Sequence, residues 1–493
     1  MPVPFRVPFK RLNVLAPAKG KTVGTDYYDL IAKRGSVEIA PGMQTPVLGY
    51  NGQVPAAQIK VNQGTPIVMT MHNQLPATHP TFGTPMHIST HLHGSASLPQ
   101  YDGYASDITS PGQKKYYHYP NFQPARTLWY HDHGVHYTAQ NAYSGLASQY
   151  HLHDKQERNL LPQGEFDVGV TISDVALQAN GSQLYDDRSG SGLWGDIILV
   201  NGRPWPVMKV KRRVYRFRFL VASISRSYRL TTVPAAPSYV VATDGGLMPR
   251  SQRVTQWRQG SAERYEVLID FRGFKAGQRI ELRNLSNDNN RDYDSTNKVM
   301  AFDVVDDAFT TKDPSALSIP TVLDRLYTKD TMDLVEKPGM KVRRIAVQHD
   351  QGIWNLSGKV WHDVIASGYK EVLANPDLGD TEIWEIENRS GGWFHPVHIH
   401  LVDFKILSRN GQAPFAWEKG PKDVVYVGEN EKVRLIMKFE HHRGRYMVHC
   451  HNLVHEDTDM MHQFSVGLNH GEEDVDDPIT ADPACPESEV RED

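Results

Sequence analysis

The residues with most chemical content lie near the C-terminal end, in His449-Cys450-His451-Asn452-Leu453-Val454-His455-Glu456-Asp457-Thr458-Asp459-Met460. A thiolate, imidazole nitrogens and a weak thioether are the donor set of a blue-copper electron-transfer site. Cys450 supplies the sulfur, and His455 and Met460 follow at +5 and +10, within reach of a short loop folding back onto one metal. Tyr446-Met447-Val448 favours a strand leading into this stretch. Side chains alternate on a strand, so His449 and His451 face one way and Cys450 the other. A metal held by Cys450 is thereby joined, through one residue on either side, to a second site held by imidazoles.

Three more histidine motifs occur: His91-Leu92-His93-Gly94, Trp129-Tyr130-His131-Asp132-His133 and His395-Pro396-Val397-His398-Ile399-His400. An i, i+2 pair on a strand aims both rings at one face, as a shared metal requires. His395 lies beyond Pro396, whose fixed φ redirects the chain towards a different metal. With 23 His in 493 residues, random placement gives roughly one H-x-H pair, whereas the chain has five. The fifth, His151 and His153, is about what chance supplies. It is expected, with His87, His118 and His136, to be surface or structural.

Taken in order from about residue 40 to 465, these motifs resemble the four copper motifs of the multicopper oxidases. T-L-W-Y-H-D-H, H-P-V-H-I-H-L-V-D-F and H-C-H-N-L-V-H-E-D-x-D-M-M are similar to the bilirubin oxidases and the bacterial laccases of spore-coat type. The resemblance implies an all-β chain of three consecutive cupredoxin-like Greek-key β-sandwich domains. It implies four copper ions. His395, Cys450, His455 and Met460 resemble the type 1 ligands, and His91 and His398 the type 2 ligands. His93, His131, His133, His400, His449 and His451 match the type 3 pair. The implied reaction is one-electron oxidation of phenols, aminophenols or bilirubin-like tetrapyrroles, coupled to four-electron reduction of dioxygen to water. Asp102 and Glu456 match the acidic residues that deliver protons in the family, and carboxylates near cupric ions suit that task. Axial Met460 lowers the potential relative to a noncoordinating side chain and favours easily oxidised reductants. Met461 is assigned to packing, and Trp393 and Phe394 to the wall of the reductant pocket. The alternative is a cuprous oxidase serving copper tolerance. Such proteins often carry a Met-rich insertion, whereas the 14 Met here are scattered. A copper-free scaffold is disfavoured because all twelve ligand positions are intact.

The elements that must position these residues are short and β-branched or aromatic, with 31 Pro and 38 Gly between them. A chain of 493 residues is too long for one core. The expected division is 1–155 with half the cluster ligands, 156–310 without metal, a linker at 311–335, 336–468 with the type 1 site and the remaining ligands, and an acidic tail at 469–493. From Gly471 the tail carries ten Asp or Glu against one Arg, which predicts mobility and no chemical role. A net charge of −4 with mixed signs gives no reason for nucleic acid or an anionic membrane as partner. No apolar run approaches the roughly 20 residues that span a bilayer. Expected partners are a small aromatic or tetrapyrrole reductant and dioxygen, with the protein a monomer. Only two cysteines occur, so no disulfide framework is expected. Four N-x-S sequons begin at Asn180, Asn284, Asn355 and Asn388. The first residues lack the apolar centre of a secretory signal. The expected location is cytoplasmic or spore-associated, or secreted if a leader has been trimmed.

Overall fold

The computed structural model describes residues 2–18, 22–306, 318–323, 329–468 and 474–489. Its strands form six sheets, which pair into three sandwiches. In the first, Leu30, Met69 and Tyr117 of one sheet meet Ile59, Leu128 and Tyr150 of the other in a single core. In the second, Val170, Phe217 and Leu268 meet Leu230, Ile280 and Phe302. In the third, Val347, Trp384 and Leu435 meet Val397, Val448 and Phe464. The expected all-β, three-sandwich architecture is what the chain adopts. Leu453 and Val454, just past the sulfur motif, join the middle core and tie the third sandwich to the second.

Strands with one wet face bury alternate residues. Arg279–Leu285, for example, hides Ile280, Leu282 and Asn284 and leaves the residues between them more open. Strands at the interfaces are buried on both faces: Arg126–Asp132 has all seven residues buried, and Val214–Val221 all eight. One face of Arg126–Asp132 covers the first core and the other meets the middle sandwich, where the Thr127 hydroxyl donates to Glu266 at 2.7 Å. The middle sandwich also buries Arg216, Arg218, Arg226 and Arg264. Buried charge is tolerable only when fully paired. Arg218 accordingly grips Asp167 with two bonds of 2.7 and 2.9 Å, and Arg216 pairs with Glu157 and Glu266.

The structure decides several expectations. Of the two roles expected for His151 and His153, the structural one holds. They are buried at this interface, His151 Nε2 at 2.7 Å from Gln149 Oε1 and His153 Nδ1 at 3.3 Å from Glu157. His87 and His118 are half-buried, and His136 is exposed. Asn284, Asn355 and Asn388 are buried, which removes three of the four sequons as glycan acceptors. The linker expected at 311–335 lies partly outside the described residues. Of its described part, Leu323 is buried and its N–H donates to Pro249 O at 3.2 Å. Among the described residues no helix is long and apolar enough to cross a membrane.

The acidic tail also departs from its composition. Residues 474–489 are docked on the first and third sandwiches. Cys485 and Pro486 pair antiparallel with Lys114 and Gln113, adding a fifth strand to the outer sheet of the first sandwich. Cys485 is buried and free. Arg445 pairs with Asp477, the Tyr101 hydroxyl donates to Asp482 at 3.0 Å, and Lys115 Nζ donates to Asp482 O at 2.5 Å. Asp477 and Asp482 are matched to cationic and phenolic partners that composition alone does not reveal, while 469–473 and 490–493 of the expected tail lie outside the described residues. A chain ending before Asp474 is expected to melt a few degrees lower in calorimetry; an unchanged transition would mean that the docked tail adds no stability.

Candidate metal centre

The histidine strands are placed by register. His91 pairs with His131 and His93 with Trp129 in the first sandwich, while His398 pairs with His449 and Val397 with Cys450 in the third. Asp132 holds the turn between His131 and His133 by accepting from Ser89 N, Gly134 N and Asn141 Nδ2 at 2.8, 3.2 and 2.9 Å. The two sandwiches present these edges to one another. Eight imidazoles meet between them, all at or below 1% exposure.

They sort into three groups. His91 Nε2 and His398 Nε2 stand 3.4 Å apart. His133, His400 and His449 converge, with His449 Nε2 3.1 Å from both His133 Nε2 and His400 Nε2. His93, His131 and His451 form the third group. Hydrogen bonds decide which nitrogen faces inward. The Nδ1–H groups of His91, His131, His398 and His449 donate to the carbonyls of Asp102, Asp132, Asp423 and Cys450 at 2.5, 2.8, 2.8 and 3.2 Å. Each Nε2 therefore carries the lone pair. Burial first, and then neighbouring imidazoles, push His91, His93, His398, His400 and His451 well below the usual histidine range, and burial lowers His131 to about 3 and His133 to about 4. These seven rings are thus neutral, as metal ligands must be.

This arrangement fits a metal and little else. His93 Nδ1, His131 Nε2 and His451 Nε2 are buried without a hydrogen-bond partner, a costly state for polar atoms in a dry interior. Lone pairs 3.1 Å apart repel, but two ligands of one first-row ion, each about 2.0–2.1 Å from it, stand about 3.3 Å apart.

On the other side of Cys450, Sγ lies 3.3 Å from His395 Nδ1 and 3.8 Å from His455 Nδ1, and Asn452 N donates to it at 3.4 Å. The outer nitrogens are tied down, His395 Nε2 2.8 Å from Ser390 Oγ and His455 Nε2 2.8 Å from Ser191 O. Met460 is buried in the same core, and its carbonyl accepts from Cys450 N at 3.1 Å. Burial pushes the Cys450 thiol up, so the thiolate needs a cation. His395, Cys450 and His455 thus form a soft site, separated from the imidazole cluster by a single residue in either direction.

Comparison with known proteins identifies the family. Two sequence signatures described as multicopper oxidase match residues 32–157 and 344–469. A bilirubin oxidase of Albifimbria verrucaria is 39% identical over 485 residues, spanning 94% of this chain and 80% of that protein. The chain belongs to the multicopper oxidase family. A laccase of Bacillus subtilis (strain 168) is 32% identical over 487 residues, spanning 86% of this chain and 91% of that protein. The crystal structure of the McoA multicopper oxidase of Aquifex aeolicus matches with a TM-score of 0.83 at 26% identity, over 94% of this chain and 100% of that one.

Two carboxylates of this multicopper oxidase touch the cluster. Asp102 Oδ2 lies 2.7 Å from His400 Nδ1, and Oδ1 lies 3.5 Å from His91 Nδ1. Glu456 sets Oε2 2.9 Å from His449 Nδ1 and Oε1 3.5 Å from His133 Nδ1. Burial drives the Asp102 carboxyl well above its ordinary range. Burial also acts upward on Glu456, but His449 and His133 outweigh it and hold that carboxyl below its usual range. The pair is split into a group that keeps its proton and one that gives it up.

Some neighbours carried no sequence signal. Trp354 stacks on His455 with ring centres 3.7 Å apart, and the loop bearing Ser191 and Trp194 comes from the middle sandwich. Trp393 lies edge-on to His455, and Phe394 stacks on Tyr426. Asp423 and Arg264 reach the imidazole cluster unannounced by any motif. Replacing Asp102 with Asn should slow oxygen reduction about 10–100-fold and leave the visible absorption of the sulfur site unchanged; normal turnover in that variant would reduce Asp102 to a turn-former.

Proposed function

We propose that this multicopper oxidase couples one-electron oxidation of small phenols, aminophenols or bilirubin-like tetrapyrroles to four-electron reduction of dioxygen to water. One observation carries the reading: a buried Cys–His site lies one residue from eight converging buried imidazoles. His395, Cys450, His455 and Met460 would hold a type 1 copper, and His91 and His398 a type 2 copper. His93, His131 and His451, with His133, His400 and His449, would hold the type 3 pair. Copper bound there supplies one-electron redox chemistry at the sulfur and multi-electron chemistry at the cluster.

The rest falls to the chain. His449 and His451 are peptide neighbours of Cys450, so a covalent path links the two centres without a mobile carrier. Trp354, Trp393 and the Ser191 loop cover His455 and keep water from the sulfur. Asp102 accepts from His400 Nδ1 at Oδ2, which leaves Oδ1 to hold a proton, and Glu456 accepts one at Oε1 or Oε2 beside His133 and His449. The protons consumed in making water thus have two carriers on opposite sides of the cluster. The substrate classes follow the relatives named as bilirubin oxidase and laccase.

Copper-loaded protein is expected to be blue and to oxidise bilirubin, an aminophenol or dimethoxyphenol with consumption of oxygen. Cuprous ion as the sole substrate of that panel would favour the copper-tolerance alternative. Cys450→Ser should lose both colour and turnover, and turnover that survived would end the electron-path assignment.

A further inference from the structure

We propose that Asp423, clamped by Arg264 of the middle sandwich, is a positioning residue that selects the nitrogens His93 and His398 turn towards copper. The proposal rests on the copper reading above and assigns work at the cluster to a sandwich that supplies none of its ligands.

His93 is the odd member of its group. His131 turns Nε2 inward because its Nδ1–H is taken by a carbonyl. In His93 the roles are reversed. Nε2 lies 3.0 Å from Asp423 Oδ1, and the orphaned buried atom is Nδ1. A neutral imidazole has one donor and one acceptor nitrogen. The carboxylate can only accept, so it places the N–H on Nε2 and the lone pair on Nδ1. The same residue sets His398 through its main chain. Asp423 O accepts from His398 Nδ1 at 2.8 Å, leaving His398 Nε2 to face His91 Nε2. One residue thereby fixes the tautomer of a ligand in each of two groups, a carboxylate–histidine–metal arrangement of the kind that orients ligands elsewhere.

Asp423 is itself immobilised. Arg264 Nη1 donates to Oδ1 at 2.8 Å and Nη2 donates to Oδ2, a fork that fits a carboxylate and that lysine cannot reproduce. Arg264 is anchored by Nε to Thr127 O at 2.9 Å, and Asp244 accepts from Arg264 N at 2.8 Å and from Asp423 N at 3.2 Å. Both members of the pair are at or below 1% exposure. The glycine of the His91-Leu92-His93-Gly94 motif makes room for them. A Cβ on Gly94 would fall 2.7 Å from Arg264 Nη2 and 2.8 Å from Asp423 Oδ2, at a φ of +92°.

The test compares copper-loaded full-length protein with Asp423→Asn and Arg264→Lys. Chelator competition, copper content per chain and the visible and paramagnetic spectra are read for each. Both variants should stay blue but bind cluster copper about 10–100-fold more weakly and lose the spectral signature of the coupled pair. The melting temperature of the copper-free proteins should fall much less than the cluster affinity. Should Asp423→Asn not fold, Arg264→Lys, which keeps the buried charge, carries the test. Blue variants with a full copper complement and an unaltered cluster spectrum would overturn the proposal and leave the oxidase reading standing. Wild-type protein that takes up no copper would overturn both.

Discussion

The structure depends on one constraint: each buried imidazole must show a lone pair to a dry cavity while its other nitrogen keeps a hydrogen bond. A histidine without the second bond could rotate or exchange tautomers, and the lone pairs would not converge. Main-chain carbonyls meet the requirement for His91, His131, His398 and His449, so ligand orientation is set largely by backbone that strand pairing already holds rigid. The register that pairs His398 with His449 and Val397 with Cys450 does the rest. A slip of one residue would send the sulfur towards the cluster and the imidazoles towards the third core.

That requirement explains why a sandwich with no ligands is indispensable. The first and third sandwiches meet along a seam of imidazoles, which contributes little attraction until cations fill it. Something else must hold the seam closed. Arg264 of the middle sandwich pairs with Asp423 of the third, Arg126 of the first pairs with Asp403 of the third, and Leu453 and Val454 enter the middle core directly behind the sulfur motif. Buried ion pairs of this kind give modest net stability but are intolerant of misplacement, since a displaced partner leaves a bare charge in a dry interior. They therefore define how the outer sandwiches sit relative to one another.

Much of the site was legible in the sequence because its chemistry follows local rules. Alternation along a strand separates Cys450 from His449 and His451, and Pro396 separates His395 from His398. What stayed hidden depends on residues far apart in the chain. Asp423 sits in a Lys-Asp pair at the head of a strand, and Arg264 looks like any charged residue beginning another. Only the packing of three sandwiches brings them to His93. The tail failed as an inference for a related reason. Composition treats acidic runs as solvated, but Asp477 and Asp482 find Arg445, Tyr101 and Lys115 across the surface of other sandwiches. The pair His151 and His153, expected to be surface or structural, is structural: it is buried in the charged interface, a location that counting could not supply.

The sulfur site also shows how closure and access are reconciled. Neither His395 nor His455 has measurable exposure, because Ser390 and the Ser191 carbonyl cap their outer nitrogens. Dry walls keep the thiolate from solvent and sharpen the electrostatics around it. A reductant therefore meets rings before it meets a ligand. Trp354 lies flat on His455 at 3.7 Å, and the exposed His349 lies flat on Trp354 at 4.1 Å, so stacked π systems lead from the surface to the buried imidazole. Trp393 and Trp194 continue the aromatic surface beside them. Electrons can cross packed rings that atoms cannot, so the site stays shut to water and still receives charge from flat aromatic donors. On the proposed function, selectivity would then reside in the shape of these loop-borne rings, while the chemistry resides in the strands beneath.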